Sequence, residues 1–83
     1  MTSQAAVNFY RSLPVNTLEA KIVEMAGKIA IFGSNDSRRS LAAAILVAVE
    51  SRSGVDGECT EDWNERYCRR EVLPMARRLV AIA

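Results

Sequence analysis

SLAAAILVAVES, residues 40 to 51, sets nine apolar residues in a row near the middle of an 83-residue chain. Four of the nine are alanines, Ala42, Ala43, Ala44 and Ala48. Alanine is the strongest helix former and is depleted in strands, so the run reads as helix. A helix apolar on every side has no solvent face, and such a helix belongs at the centre of a bundle with neighbours on several sides. Nine residues fall far short of the roughly 20 that cross a bilayer. Asn35 or Asp36 stands where an N-cap is needed, and Gly54 follows Ser53 as a stop. The fold class that follows is all-α, with the remaining segments packed around residues 36 to 53.

Upstream, Thr2 or Ser3 can cap a short first helix, whose Ala6, Phe9, Tyr10 and Leu13 recur at i, i+3, i+4 and i+7 along one apolar face. Pro14 disfavours helical geometry at Leu13 and ends that helix. Asn16 with Glu19 three residues on has the form of a capping box for a second helix. Its seam is Leu18, Ile22, Met25, Ile29 and Phe32, with Glu19, Lys21, Glu24 and Lys28 off the seam and Gly33 as terminator. A short strand over residues 28 to 32 is the alternative, but one strand without a sheet is hard to stabilise.

Downstream, residues 54 to 59 read as a loop, Thr60 as a cap, and Glu61 and Asp62 as first-turn acids that suit the helix dipole. Cys68, Val72, Met75, Leu79 and Ile82 then line one face of a last helix. Pro74 interrupts it: within a regular helix its ring meets the carbonyl of Arg70, so the segment must kink or split there. The predicted architecture is a single domain over residues 1 to 83, a bundle of three to four helices at about 3–13, 17–32, 36–53 and 61–82.

Composition narrows the function classes. At 49% apolar and 25% charged the chain is an ordinary globular domain and not a disordered tail. A net charge of +1 supplies no global field for nucleic acid or anionic lipid, so any such binding must come from local clustering. The start lacks a basic region followed by a long apolar stretch, so a cleaved secretory signal is not expected and the cytoplasm is the expected compartment. Cys59 and Cys68 are too few for a disulfide scaffold, and on a regular helix they would stand too far apart to bridge. Without histidine they also make a poor zinc site. The same absence removes the usual general base near neutral pH, no serine or cysteine has an identifiable base partner, and the four glycines are scattered. The expectation is a protein that is not an enzyme and holds no cofactor or metal.

The sharpest surface feature is the arginine series Arg66, Arg69, Arg70, Arg77 and Arg78, with Trp63 and Tyr67 beside it. On an uninterrupted helix Arg66, Arg70 and Arg77 fall within about 40° of one another at 3.6 residues per turn. Arginine beside aromatics suits phosphate contacts and base stacking, and equally suits an acidic protein surface. Against this, Asp62 to Arg66 and Glu65 to Arg69 are i,i+4 pairs of the kind that a solvated helix uses to stabilise itself. Arg38 and Arg39 oppose the dipole at the start of the central helix and are available to an outside partner.

The order Ser12-Leu13-Pro14, a long helix, then Asn35 and Arg38-Arg39 ahead of Leu41 resembles the small helical silencing suppressors of insect nodaviruses, which lay helices along double-stranded RNA. The likeness covers about the first half of the chain. Where that family carries polar and basic residues along its second helical segment, this sequence has the apolar run 41 to 49, so the RNA-binding role does not carry over.

Taken together, the sequence predicts a small non-catalytic helical interaction protein, an adaptor, regulator or inhibitor of a larger protein partner, and homodimeric because its apolar faces exceed what a monomeric bundle hides. The candidate partner-binding residues are Arg38, Arg39, Trp63, Arg66, Tyr67, Arg69, Arg70, Arg77 and Arg78. The alternative is a nucleic-acid-binding protein that uses the C-terminal arginine stripe.

Overall fold

The computed structural model describes residues 3–53 and 63–83, without the side chains of Trp63 and Asn64. Every regular element among them is helical: α1 (Gln4–Ser12), α2 (Val15–Phe32), α3 (Asp36–Arg52), α4 (Trp63–Tyr67), a π turn (Cys68–Val72) and α5 (Leu73–Ile82). The protein is an all-α bundle. The expected roles of Gly54, Thr60, Glu61 and Asp62, the loop 54 to 59 and Cys59 lie outside the described residues.

The ends of the first three helices are set by local chemistry. Ser3 Oγ accepts from the Ala6 N–H at 3.3 Å and caps α1. Leu13 is extended, as a residue before proline must be, and the chain turns at Pro14 straight into α2. The predicted capping box is not formed. α2 begins at Val15, two residues earlier than expected, because Pro14 with φ already near −60° serves as its N-cap. Asn16 is therefore inside the first turn, where its Oδ1 accepts from the adjacent Thr17 N–H at 2.9 Å. Residues 28 to 32 are helical, not a strand. Gly33, at φ 80°, adopts the left-handed conformation that ends α2, and its N–H donates to the Ile29 carbonyl at 2.9 Å. Asn35 caps α3 as expected, its Oδ1 accepting from the Arg38 N–H at 2.8 Å.

The 40 to 51 segment is central. α3 packs against α1, α2, the π turn and α5. Ala42, Ala44, Ile45, Ala48 and Val49 are fully buried, and their small side chains let the surrounding helices approach closely. The run is not sealed on all sides, since Val47 remains 43% exposed. Around it lie Val7 and Tyr10 of α1, Leu18, Ile22 and Ile29 of α2, and Cys68, Val72, Leu73, Ala76 and Leu79 beyond. On α1 the expected face is rotated: Val7 is in the core while Phe9 is 53% exposed, its ring set edge-on to Tyr10. On α2 the expected seam stops at Ile29. Met25 is half-buried, and Phe32 stands outside the core, 70% exposed.

The irregularity expected near Pro74 takes the form of a π turn at Cys68–Val72, which joins α4 to α5. Residues 63 to 82 stay helical, and the turn before the proline is widened so that the Leu73 N–H donates to the Cys68 carbonyl, five residues back. A π turn of this kind inserts one extra residue into an α-helix. Pro74 then falls in the first turn of α5, where no N–H is required of it. The insertion also moves the buried face. The predicted line Cys68, Val72, Met75, Leu79, Ile82 becomes Cys68, Val72 with Leu73, Ala76, and Leu79. Ala76 takes the buried place expected of Met75, which is half-buried, Ile82 is 52% exposed, and Leu79 keeps its expected place in the core.

Three side chains tie the helix ends together. Arg52 at the end of α3 donates to the Leu13 carbonyl at the end of α1. Ser53, fully buried, donates its hydroxyl to the Val49 carbonyl at 2.6 Å, and its own carbonyl accepts from Arg69 Nε at 3.1 Å. The Tyr67 hydroxyl donates to the Glu19 carboxylate and joins α4 to α2.

Both Tyr10 and Tyr67 are held above the ordinary phenol value of 10.0. At Tyr10 burial is the main cause, with the Glu24 charge adding to it. At Tyr67 the hydrogen bond to Glu19 leads, followed by burial and the neighbouring negative charges. A group that holds its proton more tightly in the folded state stabilises the fold fully below its unfolded pKa and loses that contribution as pH rises from there through its folded pKa. The melting temperature should therefore fall from about pH 10 upward more steeply than in the Tyr10→Phe/Tyr67→Phe variant. Parallel declines in a thermal titration of the two proteins would contradict these assignments.

Candidate interaction surfaces

Two surfaces are candidates for an interaction, the arginine-bearing side of the last helix and the outer side of α2. The first is where the sequence places its candidate residues, and the structure divides them by role. Arg66, Arg70, Arg77 and Arg78 are exposed. Arg70 lies 3.7 Å from Glu71 in an exposed pair, an interaction worth little in water. Arg69 is spent within the fold on the Ser53 carbonyl. Tyr67 is half-buried and engaged by Glu19, and the side chain of Trp63 lies outside the described residues. Arg66, Arg69 and Arg70 border one shallow open depression.

The π turn alters the stripe as it alters the core face. One inserted residue sets everything beyond Val72 back by about 100° at 3.6 residues per turn. Arg78 thereby takes the line that Arg77 would hold on an uninterrupted helix with Arg66 and Arg70, and Arg77 swings to the side. The Arg66, Arg70, Arg77 alignment depended on an unbroken α-helix and does not form.

Arg38 and Arg39 are likewise committed to local structure. Arg38 donates to the Gly33 carbonyl at 2.9 Å and lies over the Phe32 ring, 5.8 Å from its centre. Arg39 pairs with Asp36 in its own first turn.

The second surface was not among the candidates. Opposite the buried Leu18, Ile22 and Ile29, the outer side of α2 carries Ala20, Val23, Gly27, Ala30 and Ile31, all exposed. Val23 is 61% and Ile31 76% exposed. Glu24 and Lys28, paired at 3.3 Å, form one edge of this strip. The strip ends near Phe32, 70% exposed, and near the C-terminus of the chain, because Ser34 Oγ donates to the Ala83 carbonyl at 2.8 Å. Exposed Ile82 stands at that same end.

Gly27 sits in the middle of the strip. It is helical, has no positive φ, and a Cβ built on it would meet nothing within 4 Å. No packing among the described residues requires a glycine there, yet mid-helix glycine costs about 1 kcal/mol relative to alanine. In the sequence the signal is Val23 and Ile31 standing four residues either side of Gly27, between Ala20 and Ala30. It is masked by the stronger 18/22/29 seam on the same helix.

Among the described residues no group of three or more Cys, Asp or Glu side chains is arranged to hold a metal ion, and no helix is long and apolar enough to cross a membrane. The chain matches no protein-family model, no curated protein and no solved structure.

Proposed function

We propose that this chain is a small non-catalytic interaction protein, an adaptor, regulator or inhibitor that works by laying an apolar helix face against another protein surface. The observation that carries the proposal is the outer side of α2, where Val23 and Ile31 remain mostly exposed on a strip that the bundle leaves uncovered. Residues of this size gain about 1.5–3 kcal/mol each on full burial, so a partner that covers them has a ready source of affinity. Large contiguous apolar patches mark protein contacts, and the α2 strip joins two large exposed side chains through small ones on one helix face.

A second reading has one observation in its favour: Arg66, Arg70, Arg77 and Arg78 are all exposed on the last helix and suit phosphate. Against it stand the commitment of Arg69 to Ser53 and the displacement of Arg77 from the line of Arg66 and Arg70 at the π turn. Phosphate-led binding weakens steeply with salt, and apolar binding does not. A sizing-column peak read at 260 and 280 nm, together with titration of labelled duplex RNA and DNA at low and high salt, separates the two. Protein absorbance alone and no salt-sensitive titration are expected. Excess 260 nm absorbance that high salt strips away, lost again in the Arg66→Ala/Arg70→Ala/Arg77→Ala/Arg78→Ala variant, would overturn the protein-interaction reading in favour of nucleic acid.

A further inference from the structure

Resting on that reading of the α2 face, we infer that its occupant is a second copy of this chain, with the two α2 helices antiparallel and crossing at Gly27. The first support is the symmetry of the strip. Val23 and Ile31 stand four residues either side of Gly27 on one face. A two-fold axis through Gly27 therefore sets Val23 of each copy against Ile31 of the other, so one patch is its own complement, as an isologous interface requires.

Gly27 gives the second support. Its missing Cβ meets nothing within 4 Å among the described residues, which leaves room for a second backbone to approach there. At the crossing point two glycines let the backbones approach closely, and Ala20 and Ala30 extend the low-relief surface on either side.

The third support is charge. Glu24 and Lys28 lie on the same edge of the strip. A two-fold between antiparallel helices brings like edges together, so each Glu24 stands beside Lys28 of the other copy and two ion pairs form. A parallel pairing would set that edge against the one bearing Ala26 and Ala30 and leave the charges unmatched. The observed partners are thus self-complementary in one orientation only.

Cysteine cross-linking in a Cys59→Ser background tests both the occupant and the register, since Cys68 is buried. Gly27→Cys should link to itself under mild oxidation and give a species of twice 9.1 kDa. Val23→Cys and Ile31→Cys should not self-link, because each lies about 12 Å along the axis from its counterpart, beyond the reach of about 7 Å between bridged Cα atoms. Mixed together, those two variants should link to each other. As a check that does not depend on a bridge, Gly27→Leu fills open space in the monomer and should keep native helicity while its light-scattering mass halves. A wild-type dimer whose mass survives Gly27→Leu and whose 23/31 mixture does not link would place the interface elsewhere. A wild-type monomer at every concentration would overturn the self-pairing and hand the face to a different protein, without touching the reading that the face binds protein.

Discussion

Ile45→Asp should abolish folding. Ile45 is fully buried on the helix that α1, α2, the π turn and α5 pack against. Losing its burial forfeits about 1.5–3 kcal/mol. The carboxylate that replaces it has no cation in the core to pair with, and leaving a charge buried and uncompensated costs several kcal/mol more. Small domains have only about 5–15 kcal/mol in all, with the smallest near the bottom of that range. Far-UV circular dichroism at 25 °C should show the loss of most helical signal. A soluble variant with native helicity and an unchanged melting temperature would show that the residue is not in the core.

The second large effect concerns the π turn. If the turn exists to accommodate Pro74, deleting the exposed Glu71 removes the inserted residue and forces the proline into the interior of a regular helix. Its ring then meets the carbonyl four residues back and one backbone bond is lost, at a cost of about 3 kcal/mol or more. Val72, now buried, would also be turned towards solvent, for roughly a further 1.5–2 kcal/mol. The same deletion in a Pro74→Ala background should recover the proline part and retain the valine part. Urea denaturation of the four proteins reads this as a coupling of about 3 kcal/mol between the two changes. Additive effects would mean that the widened turn has a cause other than the proline.

These expectations show how far the residues alone reach. The central helix was legible because four alanines and a nine-residue apolar run leave it no other place, and its Asn35 cap and the Gly33 stop follow from local backbone chemistry. The start of α2 was misjudged because two caps competed, and Pro14, pre-set in φ, prevailed over Asn16. Near residue 74 the sequence states only that a regular helix cannot continue. Whether it kinks, splits or widens depends on whether Val72 and Leu73 can both find room in the core, which is a matter of tertiary packing. Beyond the widened turn Ala76 is buried in place of Met75 and Ile82 faces outward, while Leu79 stays where the sequence places it.

The candidate surfaces were legible to a different degree. Charge drew attention to the arginines, yet Arg38, Arg39 and Arg69 are used by their own helix ends, a role that depends on neighbours far away in the chain or on caps whose geometry is not written in composition. The α2 strip has no charge and no motif, only spacing. It became visible once the opposite side of the helix was seen to be the one that the bundle covers.

The most direct test of the account is the light-scattering mass of the wild-type chain at low and high salt, set beside that of Ile31→Asp. The account predicts twice 9.1 kDa for the wild type at both salts, and 9.1 kDa with native helicity for the variant. A wild-type chain that stays at 9.1 kDa at every concentration, or an association that high salt dissolves and Ile31→Asp leaves intact, would contradict it.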